Sequence, residues 1–95
     1  MTTLHIEHAI TDFDVWKAAF ARFEQARAQS GVLAQRVYRP RDDARYVLID
    51  LDFGTPAEAE QFLRFLEAKV WTSRDSSPAL DGAPQTRLLD LAEIR

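Results

Sequence analysis

The sequence predicts an α+β domain in which four antiparallel strands are covered on one side by two helices. Three observations support this prediction. Apolar residues alternate in four segments, they recur every three to four residues in two others, and the six segments follow each other in the order βαββαβ. Because 95 residues with 46% hydrophobic content can support one core but not two, we expect residues 1–95 to form a single domain.

The first strand is predicted at residues 2–10, which alternate with the period of a half-buried strand. One side of this strand carries Leu4, Ile6, His8 and Ile10, and the other carries Thr3, His5, Glu7 and Ala9. Thr11 followed by Asp14 has capping-box spacing, so a helix is expected to begin here. Apolar residues at helical spacing continue through residues 13–26, and Gly31 is suited to the left-handed position that ends the helix.

A hairpin and a second helix come next. Residues 32–39 and 45–53 are both predicted strands, joined by a turn-rich connection of hairpin length. In the following stretch TPAE, Thr55 supplies a cap, proline stands at the first helical position and Glu58 stands at the third, which together predict a helix start. The buried stripe of this helix is expected to continue to about Val70.

The end of the chain is predicted as a loop followed by the fourth strand. Residues 72–84 are rich in Ser, Asp, Pro and Gly, so an ordered loop with one apolar anchor at Leu80 is expected. Residues 85–92 return to strand character. Two βαβ units with right-handed crossovers close most simply into a ferredoxin-like sandwich, with the strands in the order 4-1-3-2 and both helices on one face.

The sheet face opposite the helices is predicted to carry both charged and large apolar side chains. Its expected members are Thr3, His5, Glu7, Ala9, Val32, Ala34, Arg36, Tyr38, Tyr46, Leu48, Asp50 and Asp52. Because an apolar patch of this size is unusual on a monomer, we expect this face to be covered by a second copy of the chain in a homodimer.

This face also carries most of the candidate site residues. His5 and Glu7 are the candidates for acid–base chemistry, with the alternative that they form a polar strand face at a subunit interface. Arg36 and Asp50 are expected either to hold an anionic substrate or to form a cross-strand salt bridge. Tyr38 and Tyr46 are candidate donors to a substrate oxygen, with the alternative that they fill the dimer seam.

His8 and Trp71 lie outside this predicted face. His8 has the opposite parity to His5, so the two histidines are not expected to act as a pair, and His8 is interpreted as a packed core residue. Trp71 is a candidate substrate-binding residue, because with the loop after it the side chain could close over a ligand. Its alternative role is to anchor that loop in the core.

Composition excludes several classes of function. There is no cysteine, so disulfides, thiolate metal sites and thiol nucleophiles are excluded, and no metal site is expected. The net charge of −3 gives no general attraction to nucleic acid or to anionic membranes. With no signal peptide and no membrane-spanning segment in the sequence, a cytoplasmic location is expected.

The chain resembles the dimeric α+β barrel proteins, the group that includes antibiotic-biosynthesis monooxygenases and small polyketide cyclases. The resemblance rests on the element order and on the segments HAITDFDVWKAAF, RVYRPRDDARYVLIDLDF, TPAEAEQFL and SPALDGAPQTRLLDL. It implies a barrel formed by two sheets around a cavity, and chemistry on small aromatic molecules without metal or flavin. Haem-degrading members use a histidine after the second helix, and residues 72–95 contain none.

Two functions therefore stay open at the level of sequence. The first is a cofactor-independent monooxygenase, cyclase or isomerase acting on a small apolar or aromatic molecule, with His5 as the candidate base. The second is a non-catalytic dimer that binds a small ligand or another protein. A cavity beside His5 would favour the first function, and a tightly packed seam would favour the second.

Overall fold

The computed structural model describes residues 1–94. Its elements are β1 (Thr2–Ile10), α1 (Phe13–Arg22), α2 (Glu24–Gln29), β2 (Val32–Tyr38), β3 (Tyr46–Phe53), α3 (Pro56–Phe65), a π-helical segment (Leu66–Val70) and β4 (Leu80–Asp90). The strands form one antiparallel sheet in the order β2-β3-β1-β4. This confirms the predicted ferredoxin-like α+β fold and its strand order.

The core lies between one face of the sheet and the helices. Alternate side chains of β1 and β3 are buried, and these are Leu4, Ile6, Ile10, Val47, Ile49, Leu51 and Phe53. They pack against Trp16 of α1 and Phe62 of α3. Because burial of each large apolar side chain contributes about 1.5 to 3 kcal/mol, a one-residue slip of either strand would be strongly unfavourable.

The first helix differs from the prediction at both its start and its middle. Its cap is Asp12 and not Thr11, because the Asp12 carboxylate accepts a hydrogen bond from the Val15 amide at 2.9 Å, while the Thr11 amide donates to the carbonyl of Ala79. The single predicted helix is also broken at Phe23 into α1 and α2.

The helix signals further along the chain are confirmed. Gly31 has a φ of 97°, which is the left-handed conformation expected of a glycine that ends a helix. Thr55 caps α3, with its hydroxyl accepting from the Glu58 amide and donating to the Glu58 carboxylate. The π-helical segment continues this helix to Val70. No helix among the described residues is long and apolar enough to cross a lipid bilayer.

Two strand predictions are corrected. Val32 packs against the core and not on the open face, because a bulge between Val32 and Ala34 changes which way the side chains of β2 alternate. The fourth strand begins at Leu80 and not at residue 85, since Leu80 and Asp81 pair with the end of β1. The connecting loop is therefore shorter than predicted, and its buried anchor is Ala79.

Candidate functional site

The open face, defined here as the sheet face opposite the helices, brings four of the predicted site residues into one hydrogen-bonded chain. Tyr46 donates to the Glu7 carboxylate at 2.7 Å. The other oxygen of Glu7 lies 2.8 Å from Nε2 of His5, and Nδ1 of His5 lies 2.6 Å from the Asp50 carboxylate. The register explains this arrangement, because His5 and Asp50 stand directly opposite each other on β1 and β3.

The protonation state of His5 follows from these contacts. Both ring nitrogens face carboxylates, and an ionised carboxylate only accepts hydrogen bonds, so both nitrogens carry protons and the ring is a cation. Partial burial acts to lower the pKa of His5, but the hydrogen bonds to Glu7 and Asp50 outweigh it and raise the pKa above its usual value. The bond from His5 in turn lowers the pKa of Glu7.

Arg36 makes the predicted cross-strand ion pair with Asp50 and also a shorter one with Asp52. Its guanidinium binds Asp52 with two hydrogen bonds of 2.9 and 3.0 Å, whereas its distance to the Asp50 carboxylate is 4.0 Å. Thr3 also donates to Asp52 at 2.7 Å, and these bonds lower the pKa of Asp52. Asp52 was placed on this face from the sequence but was missed as a site residue.

The remaining predicted site residues stand apart from this network. Tyr38 lies on the open face across from Leu48, is 51% exposed and takes no part in the hydrogen-bonded chain. Trp71 lies on the other side of the sheet, among the core residues. Within residues 1–94, no group of three or more histidine or carboxylate side chains is placed to hold a metal ion.

A second candidate site lies between the sheet and the helices, and we call it the helix-side cavity. Its volume is about 70 Å³, and one side of it opens to solvent. Its wall is mostly aromatic and aliphatic, and includes Trp16, Ala19, Phe20, Phe23, Phe62 and Trp71. The polar groups in the wall are His8, Arg27, Ser76 and Ser77. Among residues 1–94, no carboxylate lines this cavity.

His8 is held in one tautomer in the wall of this cavity. It is 5% exposed, and burial lowers its pKa, so the ring is neutral at pH 7. Nδ1 lies 3.0 Å from the carbonyl oxygen of Ala9, and because a carbonyl only accepts, Nδ1 carries the proton. The lone pair is therefore on Nε2. The pairing of β1 with β4 is irregular between Glu7 and Ala9, and such bulges are common beside functional sites.

His8 and Arg27 were not assigned to a site from the sequence. The alternation of β1 placed His8 in the core, as observed, but the presence of a cavity there depends on how the helices pack. Arg27 lies on the buried side of α2, at a position where the sequence shows only a charged residue in a helix.

No protein-family model and no curated protein matches the chain. Solved structures do match its fold. SnoaB of Streptomyces nogalater, described as a cofactor-independent oxygenase, superposes with a TM-score of 0.72 at 13% identity, covering 98% of this chain and 94% of that one. An antibiotic biosynthesis monooxygenase superposes with a TM-score of 0.69 at 11% identity, covering 98% and 100% of the two chains.

A third solved structure is described as a dimeric ferredoxin-like protein from an uncultured marine organism. It superposes with a TM-score of 0.62 at 10% identity, covering 97% of each chain. At these identities the likeness is one of fold. The chain thus has the ferredoxin-like fold of the antibiotic biosynthesis monooxygenases, which confirms the resemblance at the level of fold.

Proposed function

We propose that this protein is a homodimer that binds a small apolar or aromatic molecule in the helix-side cavity and transforms it without a cofactor, as a monooxygenase, cyclase or isomerase. The observation that carries this proposal is the cavity itself. It combines an aromatic wall with a few polar groups, which is the usual composition of a small-molecule site. The cytoplasmic location stays a prediction from the sequence.

The size of the cavity limits the ligand. A buried space of about 150 Å³ holds a benzene molecule, and the helix-side cavity has about 70 Å³. A ligand with one ring would therefore have to displace part of the wall. Phe20, Phe23 and Trp71 are partly buried, so their rings have room to move toward solvent. This favours a small molecule over a fused polycyclic one.

His8 is the proposed base in this cavity. A neutral imidazole with a free lone pair can remove a proton from a phenol or from a carbon next to a carbonyl group, and a pKa near or below neutrality keeps it in the active form. Oxygenation, cyclisation and isomerisation of such molecules can all begin with that proton transfer. His8→Gln should then reduce turnover by about 100-fold or more.

A second candidate site is the His5–Glu7 pair that the sequence suggested. The specific observation in its favour is the continuous chain from Tyr46 through Glu7 and His5 to Asp50, along which a proton can move. As a cation, His5 would act as an acid toward a substrate held between two sheets. The alternative is that this network is an electrostatic element of the dimer seam.

Product analysis and matched variants distinguish the His8 site from the His5 site. Phenols and enolisable ketones would be incubated with the protein in air, and mass spectrometry would detect a gain of oxygen, a loss of water or an isomer. We expect His8→Gln to lose turnover and His5→Gln to retain it. The reverse pattern would move the chemistry to the open face, and ligand binding without any turnover would favour a non-catalytic binding protein.

The proposed dimer is tested on the open face. An uncovered sheet face that carries Tyr38 at 51% exposure and Leu89 at 42% favours pairing with a second copy.

Native mass spectrometry should give twice the protomer mass of 10.9 kDa and report any retained small molecule. Tyr38→Asp should give the protomer mass. Val15→Asp, on an α1 residue with 45% exposure, should leave the dimer intact. A monomeric wild type would contradict the proposal.

A further inference from the structure

Arg27 is a buried cation that the fold only partly satisfies. The residue is 4% exposed. Its Nε donates to the side-chain oxygen of Gln35 at 2.8 Å, and its Nη1 donates to the carbonyl of Phe20 at 2.6 Å. The guanidinium also lies 3.7 Å from the centre of the Phe20 ring. Within residues 1–94, the third nitrogen, Nη2, makes no hydrogen bond; it is not fully enclosed, since no fully buried side-chain nitrogen there lacks a partner, and Arg27 lines the helix-side cavity.

The charge of Arg27 also lacks a counter-ion. In the described part of the chain, no carboxylate lies within salt-bridge distance of it, in contrast to Arg36, which binds Asp52. Glu24, in the same helix, acts on Arg27 only as a more distant and exposed charge. A guanidinium stays protonated at neutral pH even when burial lowers its pKa. A buried charge of this kind is unfavourable until something compensates it.

The helix-side cavity therefore carries one net positive charge. Arg27 and His8 are the ionisable groups in its wall, and His8 is neutral. The hydrogen bonds from Arg27 to Gln35 of β2 and to Phe20 of α1 connect the two short helices to each other and to the neighbouring strand. They use two nitrogens and leave both the charge and Nη2 available to a ligand.

We infer that Arg27 anchors the carboxylate of a small monoanion whose apolar part lies against the aromatic wall of the cavity. This inference rests on the proposed function of the cavity and names its class of ligand. A monoanion matches the single charge, whereas a phosphate dianion would leave excess negative charge in an apolar site. Nη2 binds one carboxylate oxygen. The hydroxyls of Ser76 and Ser77 also line the cavity.

The experiment compares charged and neutral probes of equal shape on the full chain. Butyrate is paired with butyramide and benzoate with benzamide, at constant ionic strength, and binding is measured by calorimetry and by the rise in melting temperature. We expect each carboxylate to bind wild type at least tenfold more tightly than its amide. Arg27→Met should bind the carboxylate no more tightly than the amide, and Arg27→Lys should keep part of the preference because it keeps the charge.

Gln35→Met is the matched control. It removes one tether of Arg27 and keeps the charge, so the preference for the carboxylate should survive. If wild type binds acid and amide equally, Arg27 is only a structural tether and the inference is overturned, while the cavity stands as a ligand site. If none of the four probes binds, the inference is overturned, and the turnover assay with phenols and ketones decides the proposed function separately. The wild-type comparison decides the matter even if Arg27→Met does not fold.

Discussion

Replacing Ala19 with valine should stabilise the protein and block its cavity at the same time. Ala19 is 6% exposed and lines the helix-side cavity, so the two added methyl groups enter empty space. At about 24 cal/mol per Å³, filling a cavity of about 70 Å³ is worth about 1.7 kcal/mol. Burial of two carbon groups at about 0.8 kcal/mol each gives a similar value.

The control for this substitution is Ala18→Val. Ala18 is exposed in the same helix, so valine there has only the helix-propensity cost of about 0.5 kcal/mol. We expect Ala19→Val to raise the free energy of unfolding by about 1 kcal/mol and the melting temperature by about 4–8 °C, and Ala18→Val to lower both. Both would be measured by calorimetry at one protein concentration, because the stability of the proposed dimer would depend on concentration.

A ligand that stabilises wild type should have no effect on the melting temperature of Ala19→Val. If Ala19→Val were no more stable than Ala18→Val, the space beside Ala19 would not be a cavity, and the proposed ligand site would be wrong.

Other predictions concern the charged groups. The pKa of His5 is raised in the folded protein, so its contribution to stability is complete below about pH 6.5 and is lost as the pH rises through the folded-state pKa. In urea titrations, His5→Gln should therefore destabilise the protein less above neutral pH than below it. The pKa of His8 is lowered in the folded protein, so its effect on stability has the opposite pH dependence. Its contribution to stability is complete above about pH 6.5 and is lost as the pH falls through the folded-state pKa. His8→Gln should therefore unfold less readily in mild acid than wild type. Asp52→Asn, which breaks the two-bond pair with Arg36, should cost about 1–2 kcal/mol of unfolding free energy, whereas Glu60→Gln, in an exposed helix pair, should cost less than about 0.5 kcal/mol. Equal costs at residues 52 and 60 would show that the Arg36–Asp52 pair adds no more stability than an exposed helix pair.

The sequence predicted the parts of the fold in which side-chain alternation is regular. β1 and β3 alternate without interruption, so the buried and open faces of both strands could be assigned residue by residue. The same regularity placed His5 and Asp50 on the same face of the sheet, and the pairing of β1 with β3 brings them directly opposite each other. Strong local signals, such as the Thr55 cap of α3, were equally informative because they depend only on neighbouring residues.

The predictions failed where the pairing of strands is irregular. The bulge after Val32 reversed the expected orientation of that residue, and a bulge leaves little trace in a sequence. The first five residues of β4 were missed because they include Gly82 and Pro84, residues typical of turns. Proline is tolerated there because it stands at an irregularity in the pairing with β1, where no ladder hydrogen bond is needed.

The open-face network was largely foreseen, and the helix-side cavity was not. His5, Glu7, Tyr46 and Asp50 share one face because of strand parity, which a sequence reveals. A cavity instead depends on small differences in how helices pack on a sheet, and these are not encoded in any local pattern. Arg27 was overlooked for the same reason, since only tertiary packing makes it buried.

The most direct test of the proposed ligand site uses the tryptophan indole signals. The chain has two tryptophans, Trp16 and Trp71, and both line the helix-side cavity. In a ¹H–¹⁵N NMR titration of the full chain with butyrate or benzoate, both indole N–H signals should shift, and the backbone amides of Thr3 and His5 should not. Unchanged indole signals, with shifts confined to those two amides, would contradict a ligand site between the helices and the sheet.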